Sequence, residues 1–229
     1  MQMKFTRCTQ CVGALFCCGV KCIRYGKSRN GNQRYLCKNC RSTRVEKYKY
    51  VAYKKDINAS IKKHLKEGCS IRSISHILEI AVSTVLRRIL RLAGQVKKPF
   101  ISFGKTYELD EMRTYVKRKT RQCWIVYAMD QTTKEVADFA VGMRTNKTLK
   151  RVTDTLLLGR ASKVYTDKLS NYRWLLPESI HCTKYRGTNH IERKNLMLRT
   201  DLKRLSRRTL CFSKSEKLLS ACLKIYFWG

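Results

Sequence analysis

The feature that limits the fold most is a pair of apolar runs set across a short polar turn. Cys123–Asp130 is aromatic and β-branched at its centre (Trp124-Ile125-Val126-Tyr127), Val136–Gly142 is a second run, and Asp130-Gln131-Thr132-Thr133-Lys134 joins them. β-Branched and aromatic side chains suit a pleated, half-buried surface, so the spacing predicts an antiparallel hairpin. A hairpin alone buries too little to be stable and needs further strands or a helix against it.

The neighbouring sequence supplies both. Thr106–Asp110 reads as a strand before the hairpin. After it come a helix over Asn146–Leu158, with Leu149, Val152, Leu156 and Leu157 apolar, a short strand over residues 163–166, a helix near 169–175 and a strand near 180–183. A last long helix starts near Asn189, its core stripe Ile191, Leu198, Leu202 and Leu205. Three antiparallel strands followed by alternating helices and strands is the order of an α/β, ribonuclease-H-like mixed sheet with flanking helices, here over residues 105–229. The Leu218–Trp228 run reads as core or interface, and its aromatic end Tyr226-Phe227-Trp228 suits either.

That order gives the acids positions. Asp110 falls at the end of the first strand and Asp167 at the carboxyl end of the fourth, where α/β sheets place ligands. Glu192, the only acid between Ser179 and Thr200, opens the last helix among five bases. Each has a plainer reading. Asn189 and Glu192 are spaced as a helix-starting capping box, Asp167 can cap the helix after it, and Glu108 and Glu111 compete with Asp110 for the first-strand position. If the first and fourth strands are neighbours, the aspartates lie side by side and the helix brings a glutamate over them. Three carboxylates repel unless a cation joins them, and hard oxygen ligands suit Mg²⁺ or Mn²⁺.

Charge narrows the partner. The chain carries 50 Lys and Arg against 16 Asp and Glu, a formal net charge of +34 in 229 residues. Such an excess opposes compaction unless a polyanion neutralises it. No run of 18 apolar residues exists to span a bilayer. The apolar stretch Cys11–Val20 is broken by cysteines and lacks a small-residue cleavage site, so it is not read as a signal peptide. Nucleic acid is the expected partner, and a membrane is not.

Residues 1–49 hold two C-x2-C pairs, Cys8/Cys11 and Cys37/Cys40, with 25 residues between them. Four thiolates on two tight turns suit a tetrahedral structural Zn²⁺, the pattern of a zinc ribbon. A disulfide framework is the alternative, and it needs an oxidising compartment. Cys17, Cys18 and Cys22 leave the ligand set open, since one of them can replace Cys11. The bases Lys21, Arg24, Lys27, Arg29 and Arg34 suit phosphate contacts, and Tyr25 and Tyr35 suit either a small core or a stacking surface.

Residues 50–95 read as three short helices, capped in turn by Asp56, Ser70 and Ser83, with Gly68 ending the first. Ile57, Ile61, Leu65, Ile71, Ile74, Leu78, Val85, Ile89 and Leu92 point inward, leaving Thr84, Arg87, Arg88 and Arg91 on the outer face of the third helix. A helix-turn-helix would set that face in the DNA major groove. A generic three-helix bundle with a solvated basic face reads the same pattern. Residues 96–104, with Pro99, form a linker.

Taken together these motifs resemble transposases of the insertion sequence one family of bacterial mobile elements. The resemblance runs through Cys8-x2-Cys11, Gly26-Lys27-Ser28, Gln33-Arg34-Tyr35-Leu36-Cys37-x2-Cys40, Leu109-Asp110-Glu111-Met112, Tyr165-Thr166-Asp167, Ile191-Glu192-Arg193-Lys194-Asn195 and Cys211-Phe212-Ser213-Lys214-Ser215. The chain departs from the family around Leu15–Cys22, where residues are inserted. The resemblance implies a metal-binding catalytic triad of Asp110, Asp167 and Glu192, 24 residues separating the last two. It favours Cys8, Cys11, Cys37 and Cys40 as zinc ligands. It implies binding of terminal inverted repeats and target DNA, DNA end cleavage and joining of 3′ ends by two-metal phosphoryl transfer, and a homodimer or larger assembly on DNA. It also implies a cytoplasmic, nucleoid-associated protein. Asn195 and Arg199, on the helix face of Glu192, are candidates for phosphate contact, with Arg193 a weaker one. The competing functions are a DNA-binding regulator and a hydrolytic nuclease that stops after cleavage.

Overall fold

The structure, a computed structural model, describes residues 15–45, 51–53, 56–184, 187–209 and 211–229. The chain divides into two compact units, Met1–Lys54 and Lys55–Gly229.

In the first unit, β1 (Phe16–Cys17) and β2 (Val20–Lys21) form a two-stranded ribbon, and β3 (Ile23–Lys27), β4 (Gln33–Leu36) and β5 (Thr43–Val45) an antiparallel meander. Its core is small: Cys17, Cys22, Tyr35 and Cys37 are buried, with Cys18 and Cys40 packed against them. Tyr35 is therefore a core residue, whereas Tyr25 is exposed beneath the Arg34 guanidinium, 5.6 Å from its ring centre. Cys8 and Cys11 lie outside the described residues.

The second unit opens with α1 (Ile57–Lys66), α2 (Ile71–Ile77) and α3 (Val82–Gln95). Of the nine apolar positions expected to face inward, seven are buried, and Ile71 and Leu78, at the two ends of α2, are half-buried. Ser70 caps α2, accepting from Ser73 N at 3.0 Å. The other two caps differ from expectation. Asp56 makes no side-chain cap bond, and α3 starts two residues early, at Val82 with Ala81 before it, so Ser83 sits inside its first turn. Gly68, at φ +74°, ends α1, and a Cβ there would come within 1.9 Å of the Asp201 carbonyl oxygen.

Five strands then form one mixed sheet: β6 (Thr106–Val116), β7 (Arg118–Asp130), β8 (Val136–Gly142), β9 (Lys163–Tyr165) and β10 (His181–Cys182), in spatial order β10-β9-β6-β7-β8. β6, β7 and β8 pair antiparallel, as the hairpin signal requires, and β9 lies parallel to β6 and to β10. The first and fourth strands of this sheet are thus neighbours. β6 and β7 run longer than their apolar cores, turning at Lys117 (φ +70°).

Side chains alternate across a strand, and the sheet buries both faces. One face, with Met112, Ile125, Tyr127 and Met129, is covered by α6 (Asn189–Asp201) and α7 (Glu216–Trp228) through Ile191, Leu198, Leu219 and Leu223. The other, with Leu109, Val126 and Ala140, is covered by α4 (Asn146–Leu158) and α5 (Asn171–Leu175) through Leu149, Val152, Leu156 and Tyr172. The aromatic end of α7 packs into its own chain: Phe227 stacks on Tyr127, and Trp228 Nε1 donates to the Val136 carbonyl at 2.7 Å. α7 also packs against α1 and α3, joining the three-helix segment to the sheet. Among the described residues no helix is long and apolar enough to cross a membrane.

Candidate active site and metal centre

Alternation along β6 puts Glu108 and Asp110 on the face covered by α6, and Glu111 on the opposite face. This separates the three acids that the strand pattern alone could not rank. Glu108 is fully buried; it accepts from His190 Nδ1 at 2.6 Å and from Ile191 N at 2.9 Å. It thereby anchors the first turn of α6. Glu111 accepts from Arg144 at 2.8 and 3.1 Å and from the Tyr172 hydroxyl. Both carboxylates are occupied by structural partners.

Asp110 is placed differently. β9 pairs with β6 only over Thr106–Glu108, with Glu108 opposite Tyr165. Two residues further along each strand direction come Asp110, inside β6, and Asp167, just past the carboxyl end of β9, near enough for the charge of Asp167 to act on Asp110. Asp110 Oδ1 accepts from Glu111 N at 2.7 Å, and Oδ2 accepts from Asn195 Nδ2 at 2.6 Å. Burial pushes its carboxyl up to about 6, with the charges of Glu111 and Asp167 adding to the rise and the two hydrogen bonds opposing it. Asp167 is exposed, and its Oδ1 accepts from Leu169 N at 3.0 Å, so it also shapes the turn into α5.

Glu192 lies exposed in the first turn of α6, its Oε1 accepting from Thr188 Oγ1 at 2.9 Å. The cap of α6 is Thr188, not Asn189, which moves the helix start back by one residue. Glu192 and Asn195 are three apart and share a helix face, and Asn195 touches Asp110. The carboxylates are more widely spaced than the cysteines described below, which alone among the described residues gather within 4.8 Å.

The remaining expected contacts divide. Asn195 is half-buried and its amide is engaged within the chain: besides donating to Asp110, its Oδ1 accepts from Tyr127 Oη at 2.9 Å. Tyr127, whose hydroxyl is pushed up by burial and by Asp110 and Glu108, is a neighbour that no sequence signal marked. Arg199 spans α6 and β6, donating to the Leu205 carbonyl at 2.9 Å and to the Arg113 carbonyl at 3.4 Å. Arg193, Arg87 and Arg91 are exposed; Thr84 and Arg88 are half-buried, Arg88 donating to Asn58 Oδ1 at 3.0 Å.

In the first unit the sulfurs of Cys17, Cys18, Cys37 and Cys40 all lie within 4.8 Å of one another. Cys17 is 3.7 Å from Cys18 and 3.4 Å from Cys40. A tetrahedral Zn²⁺ with bonds of about 2.3 Å separates its sulfurs by about 3.8 Å, so the set fits that ion. Adjacent residues seldom aim at one point. Here the left-handed backbone of Cys18 (φ +51°) and Gly19 (φ +71°) turns the chain so that they do. Cys40 is lowered to about 6, chiefly by hydrogen bonds from the Ser42 hydroxyl and backbone, with Cys17 also contributing, which favours the thiolate a metal needs.

The sheet and the helices around it match known proteins. Residues 105–227, over half of the chain, match the family described as IS1 transposase. The "Insertion element iso-IS1n protein InsB" of Shigella dysenteriae is 37% identical over 111 residues, 48% of this chain and 85% of that protein. The "Insertion element IS1 protein InsB" of Shigella flexneri is 40% identical over the same shares. Among solved structures, a chain in the "CryoEM structure of simian T-cell lymphotropic virus intasome in complex with PP2A regulatory subunit B56 gamma" is similar over 71% of this chain and 66% of that one. That likeness, at 16% identity and a TM-score of 0.37, is too loose to bear on the site. On the family match and the InsB relatives, with the expected acids lying inside the matched region, the chain belongs to the IS1 transposases.

Proposed function

We propose that this chain binds the terminal inverted repeats of its element, cleaves DNA at the ends and joins the freed 3′-OH to target DNA, on a ribonuclease-H-like sheet. Asp110, Asp167 and Glu192 are its catalytic residues. The observation that carries the reading is that Asp110, inside β6 and not at its end as the sequence suggested, lies just past the stretch paired with β9, as Asp167 does on the other strand, with Asn195, one turn from Glu192, bonded to Asp110. A desolvated carboxylate beside another one is held at a cost that a cation would relieve. Each Asp110 oxygen accepts one hydrogen bond and keeps lone-pair capacity.

Carboxylate oxygens are hard ligands of the kind Mg²⁺ or Mn²⁺ takes, and such an ion when bound would activate the attacking oxygen and stabilise the leaving one. The side chains do the rest. Asp110 is fixed by Asn195 and the Glu111 amide. Glu192 is carried in on a helix anchored by Glu108. Positioning of this kind replaces a protein nucleophile.

Repeat recognition is assigned to the first unit and to α2–α3 as a helix-turn-helix, with Thr84, Arg87, Arg88 and Arg91 on the reading face. Structural Zn²⁺ is assigned to Cys37 and Cys40 with Cys17 and Cys18; Cys8 and Cys11 are the competing pair. Assembly on DNA as a homodimer or larger brings two ends together.

The test is strand joining. Purified full-length protein, given a pre-cleaved element end and target DNA with Mg²⁺ or Mn²⁺, should produce joined product. Glu192→Gln should abolish joining and keep repeat binding. Strand scission without joining would make the protein a nuclease, and loss of binding in parallel with joining would make Glu192 structural.

A further inference from the structure

Beyond Glu108, β9 no longer covers β6, and along that side runs a cleft of about 480 Å³ lined by Arg113, Arg199 and Arg207 with Tyr115 and Trp124. Three guanidiniums meet there. The one acid on the lining, Glu111, is already taken by Arg144 and Tyr172. Arg144, neutralised by that same pairing, lies over the Trp124 ring at 4.6 Å and packs against this wall of the cleft. Burial, then the charges of Arg207 and Arg113, lower the Arg199 guanidinium from its usual range, so the like charges act on one another.

Gathering like charges is unfavourable unless an anion completes the set. Arg199 is held by two backbone carbonyls, one on each wall, which uses two of its five donors and fixes its plane. Guanidinium forks match phosphate oxygens in planar, bidentate geometry. The lining begins at Glu111, next to Asp110 in β6 though on its other face, and Arg113 is three strand residues from Asp110, roughly 10 Å. At 3.4 Å of rise per nucleotide, that is about three nucleotides along one DNA strand.

We infer that this cleft seats a phosphodiester of the DNA strand within a few nucleotides of the bond cut at Asp110, held by Arg113, Arg199 and Arg207. The assignment rests on the transposase reading for which strand is held, and on the arginine geometry for the site itself. Arg113 and Arg207 have exposed side chains, so removing them should leave the fold intact.

The experiment uses the full chain and a fluorescein-labelled 24-base-pair duplex with a four-nucleotide single-stranded 3′ extension. Affinity is read by anisotropy against NaCl concentration. Arg113→Ala with Arg207→Ala should reduce the salt slope by about one, for the one phosphate no longer neutralised, and the Lys versions should retain most of it. Neutral methylphosphonates placed one at a time through the extension should weaken wild-type binding at one or two positions. The double variant should be insensitive at those positions and normal elsewhere. A double variant with the wild-type slope and methylphosphonate profile overturns the assignment. A wild-type protein that shows the expected profile but no metal-dependent cleavage or joining leaves the cleft standing and removes the transposase chemistry instead.

Discussion

Asn195 Nδ2 donates to Asp110 Oδ2 at 2.6 Å while its Oδ1 accepts from Tyr127 Oη at 2.9 Å, so one amide sets the orientation of the acid from behind. Asn195→Ala removes that restraint and leaves the Tyr127 hydroxyl without this acceptor. The expected result is a joining rate down about 100-fold, in the range of a misplaced catalytic group, with DNA affinity nearly unchanged. Single-turnover joining rates compared with equilibrium binding separate the two quantities. A proportional loss of binding would return Asn195 to the role of a phosphate contact.

Glu108 has no solvent and two donors. In Glu108→Gln one of the two oxygens becomes an amide that cannot accept, so a buried donor at the start of α6 goes unmatched. The expected loss is about 1–3 kcal/mol, seen as a lower urea midpoint, together with slower joining because Glu192 rides on the same turn. An unchanged midpoint would mean that α6 is held elsewhere.

The metal-free protein should lose stability as pH rises. Asp110 has a folded value raised to about 6 from an ordinary 3.8. Below both values the group is neutral in either state and contributes no difference. Between about 4 and 6 the unfolded chain ionises first, so folding becomes less favourable, and above 6 the full penalty is in place. Asp110→Asn should remove that decline and raise the melting temperature above pH 6, while abolishing joining. Mg²⁺ should raise the wild-type melting temperature above pH 6 and have little effect on Asp110→Asn. A pH-independent difference between the two proteins would place the strain on another group.

Zinc content distinguishes the two cysteine sets. Mass spectrometry under native conditions should give one Zn²⁺ per chain, lost in Cys37→Ser and Cys17→Ser and retained in Cys8→Ser. Retention in Cys17→Ser with loss in Cys8→Ser would assign the ion to the pair favoured by the family resemblance.

Much of this was legible in the sequence because burial writes a period into it. The hairpin at Asp130–Lys134, α4 over Asn146–Leu158 and the stripe from Ile191 to Leu205 lie where the apolar spacing puts them. What escaped was polar. The outer half of the β6–β7 hairpin is a charged stretch, Arg118-Lys119-Thr120-Arg121-Gln122, that carries no apolar alternation; pairing with the partner strand makes it a strand. The start of α3 came two residues before the one Ser83 marked and that of α6 one before the one Asn189 marked, and neither helix takes a side-chain cap bond from the residue before it, so a capping side chain in the sequence was no guide to either start. Asn195 and Glu108 were out of reach for the same reason. Periodicity tells which face a residue shares, but it does not tell which hydrogen bond waits there.

α7 lies against β8 on one side and against α1 and α3 on the other. The face proposed to read a repeat and the acids proposed to cut beside it are therefore borne by one packed body, and residues 96–104 need transmit nothing between them. A protein arranged this way works as a fixed gauge. Its incision should fall at a constant number of base pairs from the recognised sequence, and inserting glycines after Lys98 should leave that count as it is.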